Sequence, residues 1–255
     1  MKKFLFAAGC LSLLAFASCK KDDKENNEGG DPSVTKLIKK MTEVENGVTT
    51  TYIFNYDGAK RLSNFVSTDG SQGATFTYDT RGNISKVVSV EADFKNVYMY
   101  TWQNDLPVSA HLQTWTMEDG DPQDLIEDDI LTYTITDNKV SKIHLEMQDD
   151  EELDFNLTYS NNGNLTRVQS SVAGIYTADF AFGNKKSPFP QITKYVLDQA
   201  GFSLVYGSKN ELITASFDFF GTGLDKTTTR VYTYDASGYP LTANDGSLKV
   251  TYEYQ

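Results

Sequence analysis

The chain has 255 residues, with 23 Lys or Arg against 35 Asp or Glu, for a formal net charge of −12 at pH 7. Setting aside Lys2 and Lys3 at its start leaves 21 basic against 35 acidic residues, a net of −14, which excludes a basic nucleic-acid footprint and disfavours anionic partner surfaces. Only two cysteines are present, Cys10 and Cys19, so everything after residue 19 lacks a disulfide, a thiol nucleophile and a thiol ligand and must be stabilised by a packed core.

Lys2 and Lys3 open the chain, and Phe4 to Phe16 is an apolar stretch interrupted only by small residues and Ser12. It is shorter than the roughly 20 residues that span a bilayer, so it predicts a signal segment over residues 1–18. Ala17-Ser18-Cys19 resembles a bacterial lipobox, with Phe16 where Leu is usual. The resemblance implies cleavage before Cys19 and a lipid, such as palmitate, on its sulfur. Lys20-Lys21-Asp22-Asp23-Lys24-Glu25 resembles the lipoprotein export signal of Bacteroidetes. That resemblance implies an outer-membrane location facing the cell exterior. Lys20 to Ser33 is polar and contains Gly29-Gly30 and Pro32, a composition that cannot bury enough surface to fold. Residues 19–33 are therefore expected to be a tether, and residues 34–255 one β domain.

A repeat runs through that domain. Its clear copies are Tyr78-Asp79-Thr80-Arg81-Gly82-Asn83-Ile84, Tyr159-Ser160-Asn161-Asn162-Gly163-Asn164-Leu165 and Tyr234-Asp235-Ala236-Ser237-Gly238-Tyr239-Pro240. Degenerate copies start at Tyr56, Phe182 and Tyr206. Two shorter ones run from Trp102 to Pro107 and from Ile135 to Val140. The pattern predicts a hairpin: the aromatic ends a strand, a short polar side chain starts the turn, and the fifth residue takes positive φ. Gly82, Gly163, Gly238 and Asn210 suit that fifth position, whereas Lys60 and Lys186 predict different turns. Asn46-Gly47 predicts a further tight type I′ hairpin. Alternating runs such as Tyr52-Phe54-Tyr56, Tyr98-Tyr100 and Tyr232-Tyr234 predict strands. Leu125 to Ile130 is the one short stretch compatible with a helical turn.

Reversals this close together predict an all-β antiparallel meander of about sixteen to eighteen short strands. A sheet of that size curls, and a circular barrel of that size is too wide for side chains to fill. The expected outcomes are a flattened barrel, a barrel with a cavity, or an incompletely closed one. Tyr252-Glu253-Tyr254 predicts a last strand that helps to close the sheet. The Y-D-x-x-G-x-Φ pattern is similar to the YD repeats of Rhs-type proteins. With the leader, it resembles a group of Bacteroides lipoproteins with a porin-like domain of unknown function. Lys185-Lys186-Ser187-Pro188-Phe189 resembles a Lys-Asn-Pro-Phe element of that group, with Ser187 in place of Asn. The resemblance implies architecture and no activity. A membrane-spanning strand takes about 9 to 11 residues with an apolar outward face. Here the strands are mostly shorter and charges fall on both faces of Ile143–Met147 and Val87–Glu91. A soluble domain beside the membrane is expected.

Candidate chemistry is sparse. His111 and His144 are the only histidines and have no third partner of zinc type. Asp119, Asp121 and Asp124 head an acidic stretch that could offer oxygens to Ca²⁺. Counted as an EF-hand from Asp119, its sixth and twelfth positions are Asp124 and Ile130, which rules that motif out. Asp149-Asp150-Glu151-Glu152 reads as a charged hairpin tip. Trp102, Trp115, Tyr98 and Tyr100 could stack on a sugar, or else pack within the sheet. No catalytic constellation and no cofactor site is found. The expectation is a non-catalytic surface binding or structural module, held to the membrane by its lipid, whose partner is a glycan or another envelope component. The alternative is a carboxylate-dependent, glycosidase-like hydrolase working in a central cavity.

Overall fold

The structure is a computed structural model and describes residues 35–91, 93–172, 175–189 and 197–255. The signal segment, Cys19 and the tether lie outside the described residues. Seventeen strands are found among them. They are β1 (Ile38–Glu45), β2 (Val48–Tyr56), β3 (Leu62–Ser67), β4 (Gln72–Tyr78), β5 (Ile84–Glu91) and β6 (Phe94–Gln103). There follow β7 (Leu106–Glu118), β8 (Asp121–Thr136), β9 (Lys139–Glu146), β10 (Glu152–Tyr159), β11 (Leu165–Ser170) and β12 (Thr177–Lys186). The last five are β13 (Asn210–Asp218), β14 (Lys226–Thr229), β15 (Val231–Tyr234), β16 (Pro240–Asn244) and β17 (Leu248–Tyr254).

Each strand except β14 pairs antiparallel with the next, and β17 returns to pair with β1 over Ile38↔Tyr254 to Glu45↔Leu248. The result is a nearly closed barrel with one unsealed seam, between β14 and β15. Those two are halves of one extended run, split at Arg230. The first half pairs with β13, ending where Arg230 N donates to Ile213 O at 2.8 Å. The second half pairs with β16, from Val231↔Asn244 to Tyr234↔Pro240.

The repeat turns share one construction. Asp79 N donates to Asn83 O, Gly82 N donates to Asp79 O, and Asp79 Oδ1 accepts the amides of Arg81 and Asn83. The Asp57 and Asp235 turns repeat this set. Gly82, Gly163 and Gly238 have φ of 93°, 88° and 79°. Lys60 takes φ 63° in the same turn, so the different geometry expected there does not occur: the Asp57 bonds outweigh the cost of a left-handed Lys. The shortened copies are two-residue turns with both residues at positive φ, Asn104-Asp105 and Asp137-Asn138, like Asn46-Gly47. The aromatics clamp successive repeats. Tyr78 OH donates to Leu62 O (2.7 Å), Trp102 Nε1 to Ile84 O (2.6 Å) and Tyr254 OH to Pro240 O (2.9 Å).

Three expectations are corrected. Leu125 to Ile130 is strand, because it pairs along β7. The acidic stretch is no loop: it closes at Asp119-Gly120 (φ 52° and 87°), and β7 and β8 run to 13 and 16 residues. The copies at Phe182 and Tyr206 are not separate hairpins. Lys186 pairs with Asn210, and Ser187 N donates to Lys209 O at 3.1 Å, so they are the two ends of one reversal with an insertion between.

The described residues of that insertion, 187–189 and 197–209, pack into the lumen. Phe189 packs against Phe54, Tyr206 and Tyr252, with centroids 6.2, 5.3 and 6.3 Å away. A 3-10 turn, Phe202–Val205, is held by Asp198 Oδ2, which accepts from Ser203 N and Oγ at 2.8 and 2.6 Å. The wall points Leu112, Leu131, Val140, Ile143, Phe155 and Leu165 inward, all buried. Its outward face is largely polar, with single apolar side chains such as Val66 and Met99 among the polar ones. Hydroxyl pairs such as Thr233–Thr242 and Ser216–Thr227 (both 2.7 Å) and the Arg167–Asp179 and Lys142–Asp154 ion pairs run across adjacent strands. A lipid-spanning barrel has the opposite polarity.

Candidate functional site

The four aromatics are divided by the wall. Tyr98 and Tyr100 are buried, stacked at 6.1 Å, and face the insertion: Tyr98 OH donates to Gln199 Oε1 (2.9 Å) and Tyr100 OH to Leu197 O (2.5 Å). Trp102 lies on the same inward face, in the repeat clamp. Trp115 pairs in register with Lys95 on the outward face, with the ammonium 5.9 Å from the ring centroid. The four therefore form no common platform.

The acids Asp119, Asp121 and Asp124 surround the tip of the β7–β8 hairpin and are exposed. Among the described residues no group of three or more His, Cys, Asp or Glu side chains converges as a metal site. His111 meets Asp128 across the β7–β8 pair, and His144 Nδ1 lies 2.7 Å from Asp154 Oδ1, each a cross-strand contact on the outward face.

Two polar groupings are present that sequence reasoning missed. At the end of the lumen opposite the repeat turns, a row crosses four strands. Thr114 Oγ1 lies 2.6 Å from Glu127 Oε2 and 2.8 Å from Asn96 Oδ1, and Asn96 Nδ2 is 3.5 Å from Ser89 Oγ. Gln199 Nε2 reaches Glu127 Oε2 at 3.5 Å, tying the row to the insertion. Burial raises the Glu127 carboxyl above its usual range, against the Thr114 hydroxyl bond. Burial also raises Asp129, whose Oδ1 accepts Gln148 N at 3.1 Å. No local signal marks these acids in a chain with 35 of them.

The second grouping laces the seam. Tyr232 OH donates to Leu212 O at 2.7 Å. Glu211, only 2% exposed, accepts Tyr234 OH on Oε1 (2.9 Å) and Lys185 N on Oε2 (2.8 Å). Gly183 makes room for that carboxylate: a Cβ there would stand 2.1 Å from Oε1. Arg230 sits among Tyr206, Tyr232 and Tyr252. Glu43, on β1, is pushed up to about 7 by burial, with Arg230 opposing and Glu45 adding. Outside the seam lies a cleft of about 450 Å³, lined among others by Tyr232, Thr242, Asn244, Asp245 and Lys249.

No family model matches the chain, and no curated protein matches it. Among solved structures it is similar to a porin-like protein from Bacteroides uniformis, at 19% identity and a TM-score of 0.52, covering 85% of this chain and 96% of that one. It is also similar to a porin-like protein from Bacteroides vulgatus, at 11% identity and a TM-score of 0.53, covering 87% and 99%. Over nearly the whole length of both neighbours, the chain shares the porin-like barrel fold.

Proposed function

We propose that the protein is an outer-membrane lipoprotein, anchored through Cys19, whose barrel is a non-catalytic binding or structural module at the cell surface. The observation that carries this reading is the polarity of the barrel: the outward face carries mostly polar side chains, the inward face carries the apolar core, and part of the insertion packs into the lumen. Such a barrel is suited neither to spanning lipid nor to conducting solutes, so it needs a separate anchor. The leader supplies one, and the fold neighbours from Bacteroides, titled porin-like, support an envelope setting. A glycan is the favoured ligand and the seam cleft its favoured place, since Tyr232, Asn244, Asp245 and Lys249 offer a ring and mixed hydrogen-bonding groups.

The test has two parts. Cells fed labelled palmitate should label the wild type in the outer-membrane fraction, and Cys19→Ala should be unlabelled and released; an unlabelled wild type refutes the anchor. The full chain in detergent should then bind on a glycan array, and Asn244→Ala with Lys249→Ala should abolish that signal. An array silent throughout retires the glycan version.

A hydrolase would draw on Glu127 and Asp129, the raised inward acids of β8. Both already accept hydrogen bonds within the wall and insertion, which favours a packing role.

A further inference from the structure

The longest strand of the barrel is paired along only half of its outer edge. β8 joins β7 along its length, from Glu118↔Asp121 to Ser109↔Thr132. On its other side, β9 begins at Ile130↔Glu146. Among the described residues, none pairs with that edge from Asp121 to Asp129; the nearest tie is the Gln148 amide on the Asp129 carboxylate. A stretch of nine residues with one open ladder is long enough to template a further strand.

Three apolar side chains cluster beside this edge. Leu125, Ile126 and Ile130 are 41%, 37% and 41% exposed, and Trp115 pairs with Leu125. Other parts of the outward face carry paired hydroxyls and ion pairs together with exposed apolar residues such as Val66 and Met99. The segment Asp121–Asp129 also holds five acids and no Lys or Arg. The Asp128 carboxylate is taken by His111, whereas Asp121 and Asp124 are exposed.

From this combination we infer that the open edge of β8 docks an extended segment of a partner protein by strand addition, the segment carrying Lys or Arg at positions that alternate with apolar residues. The backbone ladder supplies the pairing. Leu125 and Ile126 are covered by the apolar positions, and Asp121 and Asp124 meet the cations. A second copy of this chain is a poor occupant, because its matching edge carries the same five acids. The inference rests on the binding-module reading and names the chemistry of one partner. It concerns a different face from the seam cleft and does not involve the anchor.

The experiment uses the full chain in detergent micelles and a nine-residue peptide of alternating Lys and Val, with an alternating Glu and Val peptide as control. Backbone hydrogen exchange is followed by residue. The Lys/Val peptide should slow exchange at least tenfold at those amides of Asp121–Asp129 that face away from β7, and the Glu/Val peptide should not. Asp121→Lys with Asp124→Lys, both exposed and so compatible with folding, should abolish the effect. Absence of protection, protection that survives the charge reversal, or protection appearing at Lys226–Thr229 by the seam instead would each overturn the inference. So would amides of Asp121–Asp129 that face away from β7 and are already protected without peptide. A silent glycan array alongside a positive peptide result would sink the glycan reading alone.

Discussion

At the scale of single residues, the repeat is a device for satisfying backbone groups at a reversal. The Asp places one carboxylate oxygen on two amides, and the Gly takes the left-handed conformation that closes the turn. The aromatic performs a third task at several copies, as Tyr78 and Trp102 tie their reversals to the preceding one. Tyr78→Phe removes the hydroxyl from Leu62 O and should cost about 1 kcal/mol in denaturant unfolding. A variant as stable as wild type would show that the hydroxyl is dispensable. Glu43 has the opposite character. Its folded carboxyl titrates at about 7, against the usual 4.5. Between those values the folded chain holds a proton that the unfolded chain has lost, so stability falls as pH rises through that window. Glu43→Gln cannot ionise. It should match wild type near pH 4 and exceed it by pH 8, by at most about 3 kcal/mol. Urea midpoints at the two pH values check this, and an equal offset at both would rule out titration as the cause. The Asp and Gly roles were legible because turn chemistry is local. Glu43 was not, because its burial, and its approach to Arg230, arise only when the barrel is assembled.

At the scale of elements, hairpin spacing reveals the meander but not where a reversal has been stretched. The aromatics Phe182 and Tyr206 look like two repeats; Lys186↔Asn210 pairing makes them one. The length of β8 was hidden too, because Asp121–Asp129 is too acidic to read as strand, yet the β7 ladder holds it extended. The seam has no sequence signature of its own. It arises because β14–β15 changes partners at Arg230, and side chains from β13 and β15 then bridge the gap. Gly183→Ala tests that bridge. The added Cβ would displace the Glu211 carboxylate from Lys185 N and Tyr234 OH while keeping it buried, a change worth about 2 kcal/mol or more. Circular dichroism melts should show a lower Tm, and Gly183→Ala with Glu211→Gln should recover part of it. Loss of Leu248–Gln255 is more severe, since β17 pairs with both β16 and β1. The truncated chain should fail to melt cooperatively; an unchanged Tm would mean that closure at β1 contributes nothing.

At the scale of the molecule, the expected choice between flattened, hollow and incompletely closed barrels resolves into an incompletely closed barrel with part of its own chain packed inside. Strand number alone could not decide this. A wide ring becomes stable once one connection is long enough to fold inward, and the insertion between Lys186 and Asn210 does so. Wall and insertion then form one core, joined by Tyr98, Tyr100 and the apolar contacts around Gly201. Gly201 is the tightest of these. Its φ is 73°, and a Cβ would stand 3.1 Å from both Ile143 Cδ1 and Leu157 Cδ2. Gly201→Val combines backbone strain of about 1–2 kcal/mol with overpacking of about 1–3 kcal/mol. The insertion carries the strain, whereas the wall keeps its ladders, so the two should separate. Hydrogen exchange should accelerate strongly over residues 197–206 and little in β4–β7, and far-ultraviolet dichroism should stay that of a sheet. Uniform acceleration would mean instead that the wall cannot persist without its filling, and that the barrel and its insertion fold as a single unit.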